Sequence, residues 1–336
     1  MEINRMKPRK TILFILLTVL LAVLFVADLS FGSIRIPFGE AMNVLFGASS
    51  DTINTEILLN FRLPKAITAI LAGASLSVAG LMMQTLFRNP LAEPYILGVS
   101  SGASLGVALV MMASAVLPAV FISSGWGMIL AAVIGAALVL LLVVGVSFKV
   151  QNSVSLLIVG IMFGTIASSL VGVLQYFSNP DAIKLFIMWN MGSLSAVTWE
   201  YLQILVPTIL TGLLLAIILT KRLNGLLLGE NYARGLGIPI LQTRVLIVTA
   251  TGILAGAITA FTGPIAFVGV AIPHIARGIF RTAKHQLLMP ACVLLGASLI
   301  LICDIISQIP THTLPINTIS ALFGAPVIIW IILKRK

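Results

Sequence analysis

Ten apolar runs long enough to span a bilayer constrain this chain more than any other feature. They cover roughly 11–31, 62–86, 92–113, 126–148, 153–175, 200–220, 243–262, 264–281, 287–307 and 315–333 of the 336 residues. A spanning helix needs about 20 apolar residues. In hydrocarbon, only helices and closed barrels satisfy their own backbone polar groups, and runs of this length suit helices. The expectation is an all-α polytopic membrane protein, a single domain over residues 1–336 with about ten transmembrane helices. Within 243–281 a second arrangement is one span followed by a re-entrant piece. Charged residues make up only 9% of the chain, against about 25% in soluble proteins, which excludes an ordinary soluble fold.

The first run follows Arg5, Lys7, Arg9 and Lys10, as a signal peptide would. It is too long for a typical signal h-region and no small-x-small cleavage site follows, so it reads as a retained first helix. With the N-terminus in the cytoplasm, sixteen of the twenty Lys and Arg residues fall on the cytoplasmic side. Arg35, Arg62, Lys65 and Lys184 fall outside. That asymmetry follows the positive-inside rule. Ten helices put both termini inside, and the basic tail Lys334-Arg335-Lys336 agrees. The net charge of +10 is therefore a topology signal, and no nucleic-acid partner is expected.

Between the second and third runs lies Gln84 to Gly106, QTLFRNPLAEPYILGVSSGASLG. Pro90 and Pro94 break the helix, and Arg88 and Glu93 are charged. Such a break lies at the membrane surface or lines a protein cavity. Gly98, Gly102 and Gly106 then recur at a spacing of four, which places them on one helix face. In lipid, a face of small residues lets helices pack closely. Gly127, Ala131 and Gly135 form a second stripe, and Gly160, Gly164, Ser168 and Gly172 a third. The chain also repeats weakly on itself. Ile70 to Ala74 recurs as Ile253 to Ala257, and at the same offset of 183 Gly80 meets Gly263 and Pro90 meets Pro273. On the expected topology the two copies are inverted, an arrangement common in transporters.

Chemistry-bearing motifs are missing. The sequence contains no P-loop and no H-E-x-x-H. Cys292 and Cys303 lie in one apolar run, and three scattered histidines make no metal pattern. No catalytic residue and no metal ligand is expected. The spans carry almost no charge, whereas ion-coupled transporters use intramembrane acids. An ion-coupled secondary transporter and a membrane-embedded enzyme are the alternatives from other classes, and both lack their signatures here.

The long polar loop is 221–243, KRLNGLLLGENYARGLGIPILQT. Glu230 and Arg234 stand four apart, which supports a short helix. Gly235 and Gly237 suit its end.

These residues resemble the FecCD-type permeases, the membrane subunits of ABC importers for iron-siderophores, haem and vitamin B12. The resemblance covers nearly the whole chain. It rests on Arg62-Leu63-Pro64-Lys65, Ala72-Gly73-Ala74 through Gly80, Gln84 with Asn89 to Pro94, and Leu97-Gly98 with Ser100 to Ala103. It continues through Met191 to Leu194, Leu228-Gly229-Glu230 with Ala233 and Leu236-Gly237, Phe267-Val268-Gly269, Pro273 to Arg277, Leu314-Pro315 and Gly324-Ala325-Pro326.

The resemblance implies the type II importer permease fold and a homodimer in the bacterial cytoplasmic membrane, with the pathway at the dimer interface. It implies two cytoplasmic ATPase subunits, which hold the ATP and Mg, and an extracytoplasmic binding protein. No cofactor is implied on this chain. Leu228, Gly229, Glu230, Ala233, Arg234, Leu236 and Gly237 would form the ATPase coupling element, where an acid at Glu230 suits a basic groove. Arg62 and Lys65 would dock the binding protein. Gln84, Asn89, Pro90, Leu91, Gly98, Ser100, Ser101 and Gly102, with the turn Gln151-Asn152-Ser153, would line the inner pathway and gate. Near the C-terminus the chain departs from the family's D-x-x-x-R and E-L-P-x-G: Gln308 follows Asp304, and Thr313 and Asn317 flank Leu314-Pro315-Ile316. A basic and an acidic contact are missing there.

Overall fold

The computed structural model describes residues 8–32, 34, 36–47, 52–112, 125–150, 152–309 and 313–333. Every regular element among them is helical. In chain order the α-helices are α1 (Pro8–Ser30), α2 (Phe38–Leu45), α3 (Thr52–Glu56), which a π-helical stretch (Ile57–Arg62) joins to α4 (Leu63–Leu86), α5 (Val99–Met112), α6 (Gly125–Ser147) and α7 (Ser153–Tyr176). Then follow α8 (Pro180–Asn190), α9 (Trp199–Leu226), α10 (Glu230–Gly235), α11 (Ile240–Thr262), α12 (Val268–Phe280), α13 (His285–Ser307) and α14 (Ile316–Leu333). Among the described residues, seven helices are long and apolar enough to cross a membrane, and 99–112, 268–280 and 316–329 are shorter apolar helices. These ten match the ten apolar runs.

The centre is built from α4 and α11, which pack against each other. Both are rich in Ala, Gly, Ser and Thr, so their backbones approach their neighbours closely. Nearly every residue of α4 from Ala72 onward is buried. Its hydroxyls stay satisfied: Thr68, Ser75, Ser77 and Thr85 each donate to the carbonyl four residues back. Gly73 lies against the Gly296 backbone of α13, and Gly80 against the Gly269 backbone of α12.

Two expected spans are half helices. Run 92–113 becomes a 3-10 turn, Pro94–Leu97, followed by the 14 residues of α5. Run 264–281 becomes the irregular segment 263–267 followed by the 13 residues of α12. At about 1.5 Å per residue, each falls well short of a hydrocarbon core of about 30 Å. The rest of the depth is irregular backbone, tolerated only where protein satisfies it. Here the protein does. Ile265 N–H donates to the Tyr95 hydroxyl at 3.2 Å, Ala266 N–H to Asn317 Oδ1 at 3.0 Å, and Phe267 N–H to Glu93 Oε1 at 2.6 Å.

The internal repeat shows as an order of elements. A long buried helix, a break and a short helix occur as α4, 87–98, α5 and again as α11, 263–267, α12. The individual sequence matches fare less well. Pro90 sits in a break while Pro273 lies inside α12, and Gly80 is helical while Gly263 is not.

The small-residue stripes pack in part: the first does not form one helix face, and the third is open at its end. Gly102 and Gly106 of α5 meet Gly135 and Ala131 of α6. Gly98 precedes the helix with φ +76 and meets Gly160 and Gly164 of α7. Gly172 has open space around it. Helices α2, α3, α8 and α10 lie outside the ten runs. Local chemistry starts α8: Asn179 Oδ1 accepts from Ala182 N–H at 2.8 Å, Pro180 takes the first turn and Asp181 follows it.

Candidate functional site

The site grows from α10. Gly229 at φ +104 and Gly237 at φ +78 bracket its six residues, conformations that glycine adopts without a Cβ clash. Ile238 N–H donates to Ala233 O and Gly237 N–H to Arg234 O, which closes the helix end. Ala233 is buried beside Gly225 of α9. Tyr232 on the helix and Leu228 and Leu236 flanking it are 56%, 62% and 59% exposed. Arg234 is exposed as well.

Two interhelical turns meet α10 at its first residues. Arg88, in the turn after α4, lies beside Gly229: a methyl group placed there would sit 3.5 Å from the guanidinium. Arg244 of α11 contacts both α10 and the turn after α6. Its Nη2 donates to Glu230 Oε1 at 3.1 Å, and its Nη1 donates to the carbonyl of Val150 at 2.8 Å. Arg244 is itself buried, 3% exposed. A buried guanidinium needs several oxygen partners at once, and its planar fork can reach two elements.

Glu230 therefore differs from its expected role. Its carboxylate is partly buried and held by Arg244, so it is not a free acid awaiting a basic groove. Arg244 was missed because the sequence shows only a cation near a span end. A polar loop four residues before it was the available signal.

In the same two turns, Asn89 Oδ1 accepts from Leu91 N–H at 3.0 Å. Pro90 is partly buried and Leu91 exposed. Asn152 caps α7 by accepting from Ser155 N–H at 2.7 Å, and Ser153 is the first helical residue. Gln151 lies outside the described residues. Thus Asn89, Pro90, Leu91, Asn152 and Ser153 gather near the α10 end. The upper part of the expected pathway set does not join them. Ser100 and Ser101 are partly buried on α5, where Ser101 receives a hydrogen bond from Ser168 at 3.3 Å. Gly98 and Gly102 are buried in helix contacts.

Gln84 is a correction. It is 3% exposed and ties α4 to α12, with Nε2 donating to Gly269 O at 3.3 Å and Val270 O at 3.2 Å. Its Oε1 accepts from Arg277 at 2.5 Å. A buried amide with all its partners inside the protein does not line a pathway.

Below α10 runs a further network that the sequence did not flag. His285 is fully buried. Its Nε2 meets Thr85 Oγ1 and its Nδ1 meets Asn224 Oδ1, each at 2.9 Å. Asn224 donates on to Gln286 at 2.9 Å. Three helices, α4, α9 and α13, are pinned together just before the loop that carries α10.

At the opposite end of α4, the two expected docking cations turn inward. Arg62 is buried and donates to the Leu29 carbonyl at 2.7 Å and to the Ile34 carbonyl. Lys65 pairs with Asp304 at 2.8 Å. Gln308, the departure from the family pattern, donates to Asp304 Oδ2 at 3.0 Å and Asp28 Oδ1 at 3.3 Å. The expectation of two free docking cations is corrected: cations without an aqueous surface take internal oxygens. The same region holds a polar cleft of about 190 Å³ lined by Lys65, Ser193, Ser195, Asp304 and Ser307, among others. Among the described residues, no group of three or more His, Cys, Asp or Glu gathers as a metal site.

The model of the FecCD transport family matches residues 20–334. The chain belongs to the FecCD transport family. It is 36% identical to the vitamin B12 import system permease protein BtuC of Klebsiella pneumoniae, over 95% of this chain and 93% of that one. It is 32% identical to the hemin transport system permease protein HmuU of Yersinia pestis, over 99% and 98%. A solved inward-facing structure of a metal-chelate type ABC transporter superposes with a TM-score of 0.84 at 30% identity, covering 96% of this chain and 99% of that one. This FecCD chain is accordingly a multi-pass permease of an ABC importer.

Proposed function

We propose that this permease carries an iron-siderophore, haem or vitamin B12 inward across the bacterial cytoplasmic membrane as the membrane part of a binding-protein-dependent importer. Two copies form the pathway, both termini face the cytoplasm, and two ATPase subunits dock on the two copies of α10. The carrying observation is α10 itself: Tyr232 on it and Leu228 and Leu236 at its ends are exposed, while Arg88 and Arg244 bring two interhelical turns to Gly229 and Glu230. A short helix with exposed apolar side chains suits the groove of a partner, since exposed apolar patches mark interaction sites. The Glu230–Arg244 pair fixes its orientation.

The relatives support the substrate class. One is a vitamin B12 permease, one a hemin permease, and one belongs to a metal-chelate type transporter. The side chains assigned to the pathway in these turns, Asn89, Asn152 and Ser153, are uncharged and polar, as a route for a large complex requires: tight binding on the way would slow release. Chemistry resides on the ATPase, and this chain converts its motion into passage.

The test is assembly. The permease is co-expressed with tagged candidate ABC ATPase subunits from its source genome and purified in detergent. Two ATPase chains retained per permease dimer support the reading. A permease that elutes without ATPase, or as a monomer still competent for uptake, overturns it.

A further inference from the structure

We infer that Arg244 is the positioning residue that carries movement of α10 to the turn between α6 and α7. This rests on the reading of α10 as the ATPase docking helix and extends it. The observations come from three elements. Glu230 is the first residue of α10, and its carboxylate receives Arg244 Nη2 at 3.1 Å and 3.4 Å. Val150 closes the turn after α6, and its backbone carbonyl receives Arg244 Nη1 at 2.8 Å. Arg244 stands one turn into α11, a central helix whose apolar body is buried.

One guanidinium thus holds the docking helix with one arm and the turn with the other. The geometry is that of a lever. The fork is planar and rigid, so displacement of Glu230 rotates the group that holds the Val150 carbonyl. Val150 lies two residues before Asn152, the cap of α7. A pull on that carbonyl therefore acts at the start of α7, at Asn152 and Ser153, the residues proposed for the gate. Arg244 is 3% exposed, so water competes little for either arm. In the other turn, Arg88 lies alongside Gly229, which offers no side chain to hold.

Lysine cannot replace this arrangement. Its ammonium is a point charge on a flexible stem and does not present two donors in a fixed fork. Glutamine at 230 keeps the shape and removes the charge that aligns the pair.

The experiment uses the complete assembly of permease, ATPase and binding protein in proteoliposomes. Substrate moved per ATP hydrolysed is compared for wild type, Arg244→Lys, Arg244→Ala and Glu230→Gln. A nitroxide on Lys149→Cys, in a background with Cys292→Ala and Cys303→Ala, reports on the turn. With Arg244 present, ATP binding changes the label's mobility. The expected result is a ratio lowered about fivefold or more in all three variants, with the nucleotide response of the label lost while the ATPase stays bound. If Arg244→Ala fails to fold, Arg244→Lys and Glu230→Gln still test the lever. Wild-type ratio and wild-type label response in those two variants, with ATPase retained, overturn the lever alone. A wild-type permease that retains no ATPase overturns the docking reading and the lever together.

Discussion

Glu93 Oε1 accepts the backbone N–H of Phe267 at 2.6 Å, and so joins the two helix breaks of this permease. Phe267 stands in the left-handed region with φ +70, a conformation that only strong local restraint keeps in a non-glycine residue. Its N–H is the third in a row to be met by a side chain, after Ile265 by Tyr95 and Ala266 by Asn317. Removing the acceptor leaves a buried donor unpaired, at a cost of about 1–3 kcal/mol. Glu93→Ala should lower the thermal unfolding midpoint in detergent clearly, and Glu93→Gln, which keeps an acceptor oxygen, much less. Equal shifts in the two variants would show that the carbonyl oxygen contributes nothing.

The Lys65–Asp304 pair predicts strong coupling. It is 2.8 Å long, with side chains 12% and 4% exposed. Breaking one partner of a buried pair typically costs about 3–5 kcal/mol, whereas replacing both with apolar residues is often neutral. Lys65→Met should therefore be markedly destabilised and Lys65→Met with Asp304→Leu should recover most of the loss. Additive losses in the double variant would argue against the pair.

Glycine positions separate contact from openness. A methyl group on Gly80 would collide with the Gly269 backbone, whereas Gly172 has nothing near it. Gly80→Ala should fail to accumulate as folded protein. Gly172→Ala should fold normally and gain up to about 1 kcal/mol in helix propensity. Monodisperse yield by size-exclusion chromatography distinguishes them, and a well-folded Gly80→Ala would mean that α4 and α12 can separate.

The exposed residues at α10 should matter for assembly and little for folding. Tyr232→Asp and Leu236→Asp add charge where the side chains are more than half exposed. Both variants should insert and unfold like wild type but retain less ATPase in a pull-down. Unchanged retention would move the docking site elsewhere.

Much of this was legible in the sequence. The ten apolar runs place ten helices, because span length is set by the bilayer. The stripes at Gly102–Gly106 and Gly127–Gly135 give real packing faces, because spacing by four is a local property of a helix. The half helices were harder. Pro90 and Pro94 announce a break, yet the depth to which irregular backbone runs depends on distant acceptors. Glu93, Tyr95 and Asn317 serve residues 265–267, and no local pattern links them. The charged residues misled for the same reason. Arg62, Lys65 and Glu230 read as surface charges from their places near span ends, whereas each meets a partner remote in sequence: Leu29 and Ile34, Asp304, and Arg244. A charge in a charge-poor chain seeks internal oxygens, and sequence position does not say which.

The most direct measurement is uptake into proteoliposomes that hold the permease with its ATPase inside and binding protein outside. Iron-siderophore, haem and vitamin B12 are offered in turn, with proton and sodium gradients collapsed. The account predicts that one of the three accumulates only with hydrolysable ATP and only with the binding protein present. Accumulation driven by an ion gradient in vesicles lacking the ATPase would contradict it.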